Sequence, residues 1–459
     1  MAESSPTFLR EIWTSLGGEP AWTREVSFTG SGDLPSVFAV SDLAAGAIAA
    51  AGLAVAELMS ARGLTASKVR IDRRLASFWF QTTLRPDGWS TPPPWDPIAG
   101  DYAAADGWIR LHTNAPHHRK AALSVLGVEA DKNAVAKAVS SWRIDDLEAA
   151  VVEHGGCAAA MRDLAAWASH PHGTSVAAEP LAWLDDGDPA PSDDWVIAPG
   201  RPLAGIRVLD LTRVLAGPVA TRFLAGFGAG VLRIDPPDWD EPGVIPEVTL
   251  GKRCARLDLR QAGGRRTLED LLATADVIVH GYRPDALARL GLDAAARRRI
   301  RPGLVDVSLD AYGWTGPWRG RRGFDSLVQM SSGIAAEGMR GLGAARPRPL
   351  PVQALDHATG YIMAAAVVRG LTRRLIDRMG SGTRTSLART AALLTSVPAP
   401  ESAGAFAEAT DSDYSPAIEP TGWGPAHRMK PPLEIAGAAM RWDHAANRLG
   451  SSEPVWLPR

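Results

Sequence analysis

The sequence predicts an α/β protein, a doubly wound parallel sheet with a smaller α+β domain beside it. Three observations carry this. Short apolar, β-branched runs alternate with helical patterns at regular spacing across residues 203–312. Stretches rich in proline and glycine at 90–103 ("STPPPWDPIAGDYA") and 185–200 ("DDGDPAPSDDWVIAPG") cut the 459 residues into blocks. The composition, 46% hydrophobic and 22% charged, is that of an ordinary globular core and surface.

Taken in order, "GIRVLDLT" (205–212) reads as a strand running into a polar loop. "GPVATRFLAGFGA" (217–229) follows as a helix, with Pro218 near its start, where a missing N–H costs nothing. "GVLRID" (230–235) and "CARLDL" (254–259) are further strands, and "RRTLEDLLATA" (265–275) is a helix. "DVIVHGY" (276–282), the helix "DALARLGL" (285–292) and "LVDVSLDAY" (304–312) complete a Rossmann-like alternation. Such sheets bind ligands at the carboxyl ends of their strands. The glycine fingerprint of dinucleotide enzymes is absent from the first turn, so Asp235 alone does not indicate a nicotinamide site.

Upstream, "DGWIRLHTN" as a strand and "HHRKAALSVLG", "AVAKAVSSW" and "IDDLEAAVVEHG" as helices outline the smaller domain. The predicted organisation is a first segment over 1–90, the small domain over 91–185, a linker over 186–202, the main sheet domain over 203–396 and a C-terminal extension over 397–459.

A net charge of -2 gives no general pull towards nucleic acid or acidic membranes. The two cysteines, Cys157 and Cys254, are far apart, which fits a reducing cytoplasm rather than a disulfide framework or a structural zinc site. The N-terminus shows no leader pattern. The alanine-rich run 43–59 is short of the roughly 20 strongly apolar residues of a span and reads as a core helix. His112, His117, His118, His170 and His172 fit no zinc signature and read as surface or loop residues; no metal is expected.

One feature recurs. "VSDLAAGAIAAAGLAVAELMSARG" (40–63) and "ALDHATGYIMAAAVVRGLTRRLIDRMG" (354–380) each carry an aspartate, a glycine four residues on and a small-residue helix. Each leads into a strand-like piece, "KVRIDRRLA" or "TRTSLARTA". Asp42 and Asp356 occupy the same place. A carboxylate there either caps the helix or does chemistry.

The ordered motifs "RPLAGIRVLDLTRVLAGPVATRFLAGFGAGVLRIDPP", "GKRCARLDL", "ADVIVHGYRPDALARLGL", "DAYGWTGPWRGRRGFDSLVQMSSG" and "ALDHATGY" resemble those of the family III CoA-transferases, of the formyl-CoA and carnitine CoA-transferase type. The resemblance covers about 200–392, with the small domain's flavour over 104–185. The segment order is permuted relative to the family, like a trimmed tandem. The resemblance implies transfer of CoA from an acyl-CoA thioester to a carboxylic acid through a covalent aspartyl intermediate. Asp356 matches the nucleophile and Asp325 an active-site acid. A helix dipole is expected to keep Asp356 ionised.

Val214, Ala216, Arg260, Tyr282, Arg289 and Arg322 match positions that line the CoA path. Gly281, Pro236 and Leu215 depart from residues the family uses near its substrates. The family's racemases carry a histidine where Phe324 stands, and phenylalanine cannot move a proton. An acyl-CoA racemase or isomerase, or a non-catalytic CoA-binding homologue, are the alternatives. No tightly bound cofactor is implied, CoA thioester being a substrate. The family's interlocked dimers imply a homodimer, which would bury both alanine-rich helices.

Overall fold

The computed structural model describes residues 4–64, 68–191, 195–198, 200–398 and 404–458. Its centre is a seven-stranded sheet. The strands are β1 (Ala182–Pro189), β2 (Arg207–Leu211), β3 (Gly230–Asp235), β4 (Lys252–Arg256), β5 (Val277–His280), β6 (Val305–Asp310) and β7 (Met379–Ser386). They lie in the order β4-β3-β2-β5-β6-β7-β1. All neighbours are parallel except β1, which runs antiparallel to β7 at the edge. From β4 the chain crosses back to the far side of β2, so the order reverses between β2 and β5. That reversal opens a crevice beyond the carboxyl ends of these two strands.

The turn after β2 is held by buried charge. Asp210 accepts hydrogen bonds from the Thr212 N–H and Oγ1 at 2.9 and 2.5 Å, from Thr221 Oγ1 at 2.6 Å and from Lys252 Nζ at 3.1 Å. The turn, α-helical Thr221 and strand residue Lys252 are thereby pinned to one carboxylate. Burial pushes the Lys252 ammonium down to about 8 despite this partner. Asp235 is fully buried and paired with Arg233 through Nε at 2.8 Å, which leaves it no role towards a ribose.

Five helices matter for the site: α1 (Val40–Ala61), α2 (Ala216–Gly226), α3 (Asp325–Ser331), α4 (Ala354–Asp377) and α5 (Leu387–Ser396). The recurrence seen in the sequence is also a recurrence of structure. Val26–Thr29, α1 and Val69–Asp72 form a strand, helix and parallel strand, as β6, α4 and β7 do. Asp72 and Ser386 then cap the next helix of each unit, accepting from the N–H of Leu75 and Arg389. Leu433–Ile435 adds an antiparallel strand to the first unit.

The glycine four residues after each aspartate lets another helix cross closely. A Cβ on Gly360 would lie 2.4 Å from the carbonyl oxygen of Ala216, and one on Gly46 would lie 2.6 Å from Cβ of Phe8. The long helix α4 therefore rests directly on the start of α2, above the switch point.

Three expectations need correction. The two alanine-rich helices α1 and α4 pack on each other within one chain and are buried along most of their lengths. Their burial gives no ground for a partner subunit. The expected linker begins instead with strand β1. Its acidic residues read as loop, yet an edge strand tolerates them, and Arg384 and Arg373 of the neighbouring segments pair with Asp185 at 3.2 Å and Asp186 at 3.0 Å. The expected helix at 285–292 is only a short 3₁₀ turn, Ala288–Leu290, ended by Gly291 at φ +79°. The small domain is a three-stranded antiparallel sheet, Gly100–Ala103, Trp108–Leu111 and Ala158–Ala160, backed by helices. Its edge packs against α3.

Candidate active site

Helix α4 begins at Ala354, and the side chain of its N-cap residue Gln353 makes no capping bond. The cap comes from another segment. Asp325, the first residue of α3, accepts the backbone N–H groups of Leu355 and Asp356 at 2.9 and 3.0 Å. Its other oxygen accepts from the Gln329 amide, whose Oε1 accepts the Leu350 N–H at 2.7 Å. Capping by an outside carboxylate satisfies the orphan donors of α4.

Asp356 is therefore not the cap. Its side chain is buried at 7% exposure and receives no hydrogen bond among the described residues. Burial and the neighbouring Asp325 charge hold its carboxyl well above the usual carboxylate range. Desolvation thus works against the helix-dipole effect of about 1 kcal/mol that favours the anion there. Asp325 is itself raised, to about 6, since burial outweighs the bonds it accepts. Two buried carboxyls with raised pKa values, one of them unbonded, make this corner a candidate functional site.

The first copy is different. Asp42 accepts from Ser5 Oγ at 2.5 Å and from Arg73 Nε at 2.7 Å, and Arg73 also bridges Asp33. A guanidinium covers this carboxylate, as none covers Asp356.

The wall beside the pair comes from the small domain. His112 stacks on Phe324 with ring centroids 3.7 Å apart, and its Nδ1 lies 3.4 Å from Ser326 Oγ. His118 meets Phe324 edge-on at 5.8 Å. The sequence placed these histidines on surfaces or loops; His112, His118 and His172 are buried instead, because the edge of the small domain is covered by α3 and the preceding loop. His172 is fully satisfied, with Nε2 at 2.7 Å from the Tyr312 carbonyl and Nδ1 accepting the Trp318 N–H at 3.1 Å. No cluster of three metal-ligating groups occurs among the described residues.

At the switch point, Val214 adopts φ +63°, a strained conformation for a β-branched residue, held by a 2.6 Å bond from its N–H to Glu241. Ala216 opens α2 next to it. Tyr282 accepts a 3.3 Å bond from Arg213, whose guanidinium also lies 4.6 Å from the Trp239 ring centroid. Arg213, Arg283 and Arg322 form no ion pair with a carboxylate among the described residues. Among the described residues Arg322 donates only to the Gly155 carbonyl, at 2.8 Å. Arg283 is depressed by burial and by the like charge of Arg322, and His117 feels both Arg322 and Arg213. An unneutralised basic strip thus starts at the switch point with Arg213 and Arg283 and continues to Arg322.

Arg260 and Arg289 lie outside this strip's unpaired set. Arg260 bonds Asp258 at 2.7 Å and Asp238 at 3.2 Å, while Arg289 pairs with Asp285; all five side chains except that of Asp258 are largely exposed. Sequence reasoning missed Arg213 and Arg283. Both directly follow a strand pattern, at the carboxyl ends where ligands bind, and that position was the available signal.

Residues 203–422 match the family model for CoA-transferase family III. The acetyl-coenzyme A transferase nodX of Hypoxylon pulicicidum is 36% identical over 202 residues, 43% of this chain and 33% of its own length. The mouse succinyl-CoA:glutarate CoA-transferase is 34% identical over 195 residues, 40% of this chain and 44% of its own. A crystal structure of Rv3272 from Mycobacterium tuberculosis, at 30% identity, superposes with a TM-score of 0.40 over 43% of this chain and 58% of that one. The chain thus spans a third to under two thirds of the length of these relatives.

Proposed function

We propose that this chain, which carries a CoA-transferase family III region over residues 203–422, moves CoA from an acyl-CoA thioester to a carboxylic acid with Asp356 as nucleophile. The observation that carries this is the buried, unbonded Asp356 carboxyl set at the switch-point end of a doubly wound sheet. Ionised Asp356 attacks the donor carbonyl carbon, and the C–S bond breaks to release CoA thiolate. The thiolate attacks the aspartyl carbonyl of the resulting mixed anhydride, freeing the donor acid and leaving an aspartyl–CoA thioester. The acceptor carboxylate displaces the thiolate from that carbonyl. The thiolate then takes the new acyl group and restores Asp356.

The basic strip supports the same reading. Arg213, Arg283 and Arg322 offer unpaired guanidinium groups to the phosphates of CoA, alongside Val214, Ala216 and Tyr282. Replacing Arg213 and Arg283 together by Gln should weaken CoA binding by about tenfold or more and flatten its salt dependence. Replacing Arg260 and Arg289 should do less, because each already has a carboxylate partner. Calorimetric titration of CoA at two salt concentrations checks both. Equal affinities for wild type and the Arg213/Arg283 variant would remove the strip from the CoA site.

Because Asp356 must lose its proton before attack, the donor half-reaction should accelerate as pH rises above the ordinary carboxylate range. Stopped-flow adduct formation across pH reads this directly. A rate independent of pH would place the nucleophile elsewhere. Racemisation is disfavoured by Phe324, and solvent deuterium should not enter the substrate α-carbon.

A further inference from the structure

Glu179 ends the helix Pro171–Ala178, is 4% exposed and has no ion-pair partner among the described residues. A buried carboxylate without a cation is costly, so what it holds in place is the clue to its role. Its bonds go to a single loop far along the chain. Oε1 accepts the N–H of Trp314 at 2.8 Å, the N–H of Thr315 at 2.7 Å and the Thr315 hydroxyl at 2.6 Å. Gly313 makes the approach possible. Its φ is +102°, and a Cβ there would lie 3.0 Å from both Glu179 oxygens.

The same helix grips the loop a second time. Burial pushes His172 down to about 4, so its ring is neutral at ordinary pH. Nδ1 accepts the Trp318 N–H, which leaves the ring proton on Nε2, donated to the Tyr312 carbonyl. From the main sheet, Asp310 accepts the Gly313 N–H at 2.5 Å. The clasped loop then runs into α3. The fully buried Tyr312 shares a 3.2 Å hydroxyl bond with Ser331, the last residue of α3. The first residue of α3 is Asp325, whose carboxylate holds the N–H groups of Leu355 and Asp356. Each link from Glu179 and His172 to the Asp356 backbone is a hydrogen bond or a stretch of this one loop and helix.

We infer, resting on the transferase reading above, that Glu179 and His172 are positioning residues for the reaction. They clasp the loop 312–318, and through it set α3 and the Asp325 cap against the start of α4, where Asp356 stands. Misplacing a reacting group by a fraction of an ångström to an ångström costs up to about a hundredfold in rate.

The test compares wild type with Glu179→Ala, Glu179→Gln and Val135→Ala. Val135 is a buried core residue of the small domain and controls for general loosening. Amide hydrogen exchange at residue resolution should be about tenfold or more faster at Leu355 and Asp356 in Glu179→Ala, and not in Val135→Ala. Glutamine keeps an acceptor oxygen and should restore most of the protection. In transfer assays, Glu179→Ala should lower kcat roughly tenfold to a hundredfold with the donor KM little changed. Unchanged exchange at Leu355 and Asp356, equal acceleration in Val135→Ala, or faster exchange with an unaltered kcat would overturn the clasp. Should Glu179→Ala fail to fold, wild type alone decides. The amides of Trp314, Thr315, Leu355 and Asp356 should then open as one unit as denaturant is added, and separate openings would overturn the clasp. Exchange needs no turnover. If the exchange results hold in a protein that transfers no CoA, the clasp stands and the transferase reading falls.

Discussion

Asp356→Asn should abolish CoA transfer, by roughly three orders of magnitude or more, the scale on which losing a covalent nucleophile acts. The amide keeps the shape of the side chain and has no carboxylate to attack a thioester. The fold should survive and become more stable. The folded-state pKa of Asp356 is raised, so the stability it contributes is full below the unfolded carboxylate value and is lost as pH rises through the folded value. Asparagine removes that loss. The melting temperature of the variant should therefore exceed that of wild type, by more at alkaline than at acidic pH. A variant that melts lower at every pH, or that still transfers CoA, would contradict the assignment.

Asp42→Asn should do the reverse. The wild-type carboxylate accepts from Arg73 and Ser5 in a buried corner, and Arg73 is shared with Asp33. Breaking one member of a buried ion pair leaves the other charge undercompensated and costs about 3 kcal/mol. Chemistry at Asp356 should persist wherever the variant remains folded. Chemical denaturation and transfer assays on the same preparations test both halves. Loss of transfer from a fully folded Asp42→Asn protein would mean that the first copy is the working one.

How much of this was legible in the sequence depends on the kind of contact involved. The parallel strands were readable because each is a short apolar run with its own turn, and β3 falls exactly at residues 230–235. Strand β1 was not, because the strand it pairs with, β7, lies more than a hundred residues away. Asp356 stood out through its resemblance and its glycine four residues on. That it is not the cap could not be read, since the cap is Asp325, 31 residues earlier in the chain. Asp42 and Asp356 look equivalent as letters. Only folding brings Arg73 onto one and leaves the other bare. The histidines show the same limit, because their burial is created by α3 and its loop, which lie far along the chain.

The most direct measurement is peptide mapping of the enzyme after incubation with an acyl-CoA donor and hydroxylamine. The account predicts an aspartyl hydroxamate at Asp356, formed only with donor present and absent from Asp356→Asn. A hydroxamate at Asp42 or Asp325, or no adduct with any of a panel of acyl-CoA donors, would contradict it.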